Sequence, residues 1–425
     1  MNHISELQPI LPGGPAQTID ARWVGCAQVT DRFDDTVKIH YGSDYQHARI
    51  LVRDGTRVLG YVEVGVEDSI VLGQELNREM RRLQPLATID DTASTRTASE
   101  LPPVSVVICT RDRTSHLKRV LESVLALDYP SFEVIVVDNA ATTLETWRYV
   151  EGNNDERLRV VNAAVPGLSA ARNRGLESAS HEIVAFTDDD VIVDSAWLRC
   201  LTRPFADPEV ATVTGLVTPA SLRTPAQVAF QDRVSWGTAP SRGYFNWRDR
   251  HSHGPLFPFR VADFGTGANF AVRRRVAFSL GGFDEALGAG TPTAGAEDID
   301  WFVRSILADH TLAIEPDAIT WHEHRATEAE LMSQAHGYGL GLGAWLAKVA
   351  TDRRLAPHAV SRSVLAAKHL AAGVLSTRGA LTSLKDPETG RLREAAAKAE
   401  AAGLRSGPRA LARARAAGRR ASPLK

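Results

Sequence analysis

Cysteine is scarce: Cys26, Cys109 and Cys200 are the only three in 425 residues, far apart and without CxxC spacing. That excludes a disulfide framework and a zinc ribbon, and makes a reducing cytosol the expected compartment. No run of about 18 apolar residues occurs, so no membrane span is expected. The opening MNHISELQPILPGGPAQ carries an acidic residue early and no apolar core, so a secretory signal is not expected. Charge of one sign is also lacking: the net charge is −2, which gives no global reason to expect nucleic acid as a partner. What is present, 44% hydrophobic and 24% charged residues, is the composition of a soluble globular chain. Its length suggests two or three domains.

Four zones can be separated. Residues 1–86 read as a small β-rich domain, with strands at Ala48–Val52 and Val58–Val64 and a tight turn at Asp54-Gly55 between them. Residues 87–102, rich in Ser, Thr, Asp and Pro, read as a linker. From 103 to 325 the pattern is α/β. VSVVIC (Val104–Cys109) is a β-branched run of the kind buried on both faces of a parallel sheet. Leu117, Val120, Leu121, Val124 and Leu125 then mark an amphipathic helix over Thr114–Leu127. Further strands at Glu133–Val137, Arg157–Val161 and Glu182–Thr187, with a helix at Ser169–Ala179, imply βαβ units and a doubly wound sheet.

Residues 326–425 read as a helical extension. Gly337, Gly339, Gly341 and Gly343 fall in an uncharged stretch, a spacing that favours close helix packing in a core. From Ser376 onward twelve Lys/Arg face four Asp/Glu. This basic tail is expected to be a solvated, partly helical appendage, with peripheral contact to an anionic membrane as the alternative.

In an open α/β sheet ligands bind at the carboxyl ends of the strands, so the residues there are the candidates. They are Thr110-Arg111-Asp112-Arg113, Asp138-Asn139 and Asp188-Asp189-Asp190. Three adjacent carboxylates repel unless a cation or donors compensate them. Asp188 and Asp190 alternate on an extended turn and suit a hard divalent cation, Mg²⁺ or Mn²⁺. Glu297-Asp298-Ile299-Asp300 opens a helix, where acidic residues complement the helix dipole but can also supply a general base. His322 and His324, after a late apolar stretch, are candidate third metal ligands. Trp236, Tyr244, Phe245 and Trp247 could stack on sugars or simply pack.

Taken in order, VSVVICTRDRTSHLKRVLESVLALDYPSFEVIVVDNA, GLSAARNRGLESASHEIVAFTDDDV, GTGANFAVRRRVAFSLGGFDEAL, GAEDIDWFVR and WHEHR resemble the family 2 glycosyltransferases of GT-A type, over about half the chain. The resemblance implies a nucleotide-sugar site at Thr110, Asp112, Asp138, Arg172, Asp188 and Asp189. It implies a divalent metal, Mg²⁺ or Mn²⁺, on Asp188, Asp190 and His322 or His324. It further implies a catalytic base at Asp298 beside Glu297, with Asp300 as the rival carboxylate. Cys109 departs from the family, standing where Pro is usual.

The implied activity is inverting transfer of a sugar from a nucleoside-diphosphate donor to a glycan or lipid-linked hydroxyl. Cell-surface polysaccharide or glycolipid synthesis is the expected setting, in the cytoplasm or at the inner face of the cell membrane. Two other readings compete. A nucleotidyltransferase would want a Gly-rich loop after the first strand, and Thr110–Ser115 contains no Gly. A non-catalytic carbohydrate-binding protein would be favoured by loss of the Asp cluster or the Glu-Asp pair, and both are present. A dehydrogenase is disfavoured because no GxGxxG follows the first strand.

Overall fold

The computed structural model describes residues 3–87, 101–234, 241–260, 263–371 and 386–421. Most of the expected linker, and Trp236, lie outside them.

The N-terminal strands are β1 (His3–Leu7), β2 (Arg22–Gln28), β3 (Arg32–Ile39), β4 (His47–Asp54), β5 (Arg57–Gly65) and β6 (Ile70–Leu72). They form two three-stranded sheets, ordered β1-β3-β6 and β2-β4-β5. The hairpin between β4 and β5 turns at Gly55 with φ 60°, a conformation that costs glycine little. Helix α1 (Gly73–Ala87) follows, which the sequence reading did not identify. Its stripe is thin: Leu76 and Met80 are buried, with Glu75, Arg78, Glu79, Arg81 and Arg82 around them. This unit shares a core with the sheet behind it, where Val24 and Leu51 cluster with Leu216, Leu222, Ile319 and Trp321. Arg53 pairs with Asp194 at 2.7 Å, and the Val58 amide donates to Asp317 at 2.7 Å.

The central region runs β7 (Val104–Thr110), α2 (Thr114–Leu125), β8 (Phe132–Asn139), α3 (Glu145–Glu151), β9 (Leu158–Ala163), α4 (Leu168–Ser178), β10 (Ile183–Asp188) and β11 (Val191–Val193). It continues through α5 (Trp197–Thr202), β12 (Val210–Pro219), α6 (Pro225–Gln231), β13 (Gly243–Phe245), β14 (Asn269–Arg273), α7 (Arg274–Ser279), α8 (Glu297–Leu307) and β15 (Thr311–His322). Nine strands make one sheet in the order β11-β15-β12-β14-β10-β7-β8-β9, with β13 added on β15. Alternate residues of β7 feed two layers. Val104, Val106 and Ile108 pack with Leu117, Val120 and Leu121 of α2, whereas Val107 packs with Leu176 of α4. This is the expected doubly wound α/β architecture with antiparallel additions: β14 enters between β10 and β12, and β11 and β13 pair with β15. Because β12 and β15 are parallel to each other and β14 reverses twice, β7, β8, β10, β12 and β15 all end at one edge.

The C-terminal helices are α9 (Glu328–Thr351), α10 (Ala356–Ala371) and α11 (Pro387–Ala421). Among the described residues no helix is long and apolar enough to cross a membrane. The expectation of a solvated tail is overturned for α11, which lies backbone to backbone on α9. A Cβ added at Gly339 would sit 1.9 Å from the Glu400 carbonyl oxygen, and one at Gly343 2.1 Å from that of Leu404. Side chains other than hydrogen would force the helices apart. The basic residues are partly spent inside the protein as well, Arg391 on Glu328 and Arg415 on Asp284.

Candidate active site

Strand register assembles the site. Asp188 lies beside Cys109 in the β10–β7 pair, and Thr110 lies beside Asp138 in the β7–β8 pair. On the other flank Val191 pairs with His322, and the Glu323 amide donates to the Asp190 carbonyl at 3.0 Å. Three strand ends and the HxH segment thus converge, although they are more than 200 residues apart in sequence.

The three aspartates are not alike. Asp189 is buried and accepts from Thr110 Oγ1 at 2.7 Å and from Arg113. Asp190 is buried among Arg113 at 3.1 Å, Arg325 at 3.1 Å and His322 at 3.4 Å. Protein cations therefore compensate these two, so like-charge repulsion by itself does not demand a metal here. Asp188 is left with the loosest partner, Arg172 at 3.7 Å, and 34% of its side chain meets solvent. Burial pushes the Asp188 carboxyl up to about 7, with Asp190 and Asp189 adding to what Arg172 and His322 oppose. Asp189 is pushed up to about 6, again chiefly by burial. Asp190 goes the other way: His322, Arg113 and Arg325 outweigh its burial and hold it ionised.

Arg172, on α4, is 2% exposed and links this cluster to the start of α8. Its guanidinium donates to Glu297 at 2.7 Å and to the Gly267 carbonyl at 2.9 Å, while facing Asp188. The Gly267 amide in turn donates to Asp298 Oδ2 at 2.7 Å, and the Ile299 amide to Asp298 Oδ1 at 2.8 Å. A Cβ at Gly267 would lie 2.8 Å from Arg172 and 3.1 Å from the Asp298 carboxylate, so only glycine leaves these two in place. Of the three first-turn carboxylates on α8, two are committed. Glu297 is buried on Arg172, and burial raises its pKa. Asp300 is fully buried, bonded to Arg304 at 2.7 Å and paired with Lys348 at 2.6 Å. Asp298 alone keeps partial exposure, and Gly267 and Arg172 link it to Asp188.

The histidines divide as well. His324 Nε2 lies 2.9 Å from Gln231 Oε1, an acceptor, so Nε2 carries the proton and Nδ1 accepts. His322 Nδ1, 2.9 Å from His324 Nδ1, is then the donor, and its Nε2 is directed toward Asp190. Burial opposes charge on both rings. Asp190 overcomes this for His322, whose pKa rises, but not for His324, whose pKa falls well below the usual range.

Among the described residues no group of three or more His, Cys, Asp or Glu side chains is gathered as a metal cage. The donor set nevertheless fits a cation of the Mg²⁺ or Mn²⁺ kind, which takes one or two carboxylates and completes its shell from water and substrate phosphates. The loosely partnered Asp188 carboxylate is the observation that fits best.

At the β7–β8 end, Asp138 is buried and its Oδ1 has no hydrogen-bond partner among the described residues, so it can accept from a ligand donor. Asp112, at φ 53°, is exposed and accepts from the Thr142 amide at 2.9 Å and its hydroxyl at 3.0 Å. The aromatic segment sits elsewhere. Tyr244 and Phe245 pair with the far end of β15, at Leu312–Ala313, and Phe245 and Trp247 pack on Phe257. Sequence reasoning gave Arg113 and Arg325 no role of their own, although both lie in segments it singled out, and it did not identify Gln231.

Residues 105–280 match the family model described as Glycosyl transferase family 2. Similar curated proteins include the pre-mycofactocin glycosyltransferase of Mycobacterium tuberculosis, 31% identical over 265 residues, 62% of this chain and 51% of that protein. Another is the succinoglycan biosynthesis protein ExoM of Rhizobium meliloti, 29% identical over 263 residues, 60% of this chain and 78% of that one. A mannosyltransferase from Pyrobaculum calidifontis, solved with GDP-Man and Mn²⁺, is similar at a TM-score of 0.43 and 21% identity, over 80% of this chain and 92% of that one. The chain spans about half the length of the first of these relatives. The match to that family thus falls on the central α/β region, from β7 to α7.

Proposed function

We propose that the protein transfers a sugar from a nucleoside-diphosphate donor to an acceptor hydroxyl, with inversion at the anomeric carbon. Thr110, Asp112 and Asp138 bind the nucleoside, with Asp138 Oδ1 accepting a base N–H. Asp189 holds Thr110 and Arg113 in place. Asp188 and Asp190, with His322, would hold Mg²⁺ or Mn²⁺, which supplies Lewis-acid stabilisation of the diphosphate when bound.

Asp298 accepts the acceptor's hydroxyl proton. The freed oxygen bonds to the anomeric carbon from the face opposite the nucleotide, and the bond to the phosphate oxygen breaks with its electron pair leaving on the diphosphate. Arg172 fixes the two ends relative to each other, and Glu297 holds Arg172. That single bridge, Asp188 to Arg172 to the Gly267–Asp298 contact, carries the reading. It supports a leaving-group side at Asp188 and a base side at Asp298 joined through one guanidinium.

The acceptor is proposed to be a glycan or lipid-linked hydroxyl of cell-surface polysaccharide or glycolipid synthesis, in keeping with the name of the succinoglycan relative. A lipid-linked acceptor would place the enzyme in peripheral contact with the inner face of the membrane, which liposome flotation at low salt measures. The central test is a panel of nucleotide sugars. One is expected to raise the melting temperature and to be hydrolysed only with Mn²⁺ or Mg²⁺. A panel in which none binds and none is hydrolysed overturns the reading.

A further inference from the structure

Helix α9 carries two different faces. Gly339 and Gly343 meet α11, as described above. Gln334, Gly337, Tyr338 and Gly341 recur at i, i+3, i+4 and i+7 and form a second stripe. This stripe lies on the loop that leads into Glu297 and Asp298. A Cβ at Gly341 would be 2.8 Å from the Gly295 backbone, and one at Gly295 would be 3.8 Å from the Gly337 carbonyl oxygen. Tyr338, between these contacts, is therefore brought to the base side of the cleft.

Tyr338 also reaches the other half. Its ring centroid lies 6.1 Å from Phe230, which stands 4.7 Å from His324, the partner of His322. Burial raises the pKa of its phenol, with Asp298, Asp188 and Asp190 all near enough to add to the shift. Yet 45% of the residue is exposed, unusual for a large ring next to a catalytic loop. Beside it, Gln334 donates from Nε2 to the Tyr338 hydroxyl at 3.3 Å, while Gln334 Oε1 is buried with no hydrogen-bond partner.

An open aromatic face with an unused carbonyl acceptor beside it is the chemistry of a sugar subsite. The ring stacks on the C–H face of a pyranose and the amide oxygen accepts one hydroxyl. The side of the site settles which sugar this is. The unpaired Asp138 and Thr110 are at the ends of β7 and β8, whereas α9 stands over the start of α8. We infer that Tyr338 and Gln334 form the acceptor subsite, and select a carbohydrate acceptor whose hydroxyl is presented to Asp298. This rests on the glycosyl-transfer reading and names the acceptor-binding residues within it.

The experiment uses the full chain with Mn²⁺, the nucleotide sugar found by the panel, and a set of p-nitrophenyl glycosides as acceptor probes. A glycoside that receives the sugar, or that suppresses donor hydrolysis, becomes the probe. Tyr338→Ala is expected to raise its KM or inhibition constant about tenfold or more. Donor hydrolysis to water and nucleotide protection against heat should stay within twofold of the parent. Tyr338→Phe should stay within about threefold for the probe, since the stacking face remains. Gln334→Leu, which removes the amide oxygen at similar size, should weaken the probe several-fold and spare the donor.

The inference is overturned if Tyr338→Ala leaves the probe's constants unchanged, if donor hydrolysis and protection fall in step with them, or if no glycoside interacts with an enzyme that hydrolyses donor. A parent protein that binds and hydrolyses no nucleotide sugar is a different failure. It removes the glycosyl-transfer reading itself, and this inference with it.

Discussion

Asp298 and Asp300 stand two positions apart on the first turn of one helix, and the protein treats them oppositely. Asp298 is held by two backbone amides and keeps partial exposure. Asp300 is sealed, with Arg304 on one oxygen and Lys348 on the other; Lys348 in turn holds Asp284, which also receives Arg415 from α11. A partly exposed carboxylate held by amides can still be reached by a substrate. One enclosed by buried cations cannot. The lesson is that proximity in sequence says little about role when the compensating charges come from distant helices.

The comparison breaks most sharply at Asp298. Replacing it with Asn keeps the shape but leaves one oxygen for the two backbone amides and removes the proton acceptor. Turnover is expected to fall about 10³-fold, the range for loss of a general base. The nucleotide sugar should still raise the melting temperature as it does in the parent. Near-normal turnover would hand the role to another group and end the assignment.

Asp300→Ala should give the reverse pattern. It leaves the buried Lys348 with only Asp284, and uncompensated buried charge costs about 3 kcal/mol or more. Urea unfolding should show that loss, while turnover per folded molecule falls far less than in Asp298→Asn. An Asp300→Ala protein of parental stability would mean that the Lys348 cluster does not hold the helix.

A third measurement follows the same cluster with pH. Burial by itself would raise the Asp284 carboxyl, but Lys348 and Arg415 more than offset this and hold it at about 2, against 3.8 unperturbed. A depressed folded pKa contributes stability that is complete above the unfolded value and disappears as pH falls through the folded one. The stake is about 2 kcal/mol, present above about pH 4 and lost toward pH 2. Asp284→Asn should be less stable than the parent at neutral pH and lose less on acidification between those values. Equal acid slopes for both proteins would argue against the pairing.

Much of the α/β region was legible because buried parallel strands announce themselves as β-branched runs, as in Val104–Ile108, and because polar residues at their ends stand out against that background. The direction of β14 was not, since NFAVR is the same pattern read either way. The docking of α11 was hidden for another reason. Small residues do not mark a partner, and Gly403 and Gly407 acquire meaning only once Gly339 and Gly343 are seen opposite them. At the candidate site, strand-end position singled out Asp188, Asp190 and His322, and the helix start singled out Asp298, as candidates. The choice between Asp298 and Asp300 depended on Lys348, some fifty residues downstream, and no local spacing carries that information.

The smallest expected effect tests the corresponding contrast between the two histidines. His322 faces Asp190 because His324 accepts its Nδ1 proton, and His324 can do so because Gln231 takes the proton on its other nitrogen. The ordering of one ring thus begins at a side chain on α6, away from the strand ends. Gln231→Leu removes the acceptor at similar volume and touches neither aspartate. His324 is then free to exchange tautomers and no longer fixes the orientation of the His322 ring. Loss of such an orienting partner typically weakens metal binding by tenfold or more. Calorimetric titration of Mn²⁺ should show about that change, with nucleotide binding in the absence of metal unaltered. Unchanged Mn²⁺ affinity would mean that His322 is oriented by Asp190 alone, and that the second histidine serves packing rather than the site.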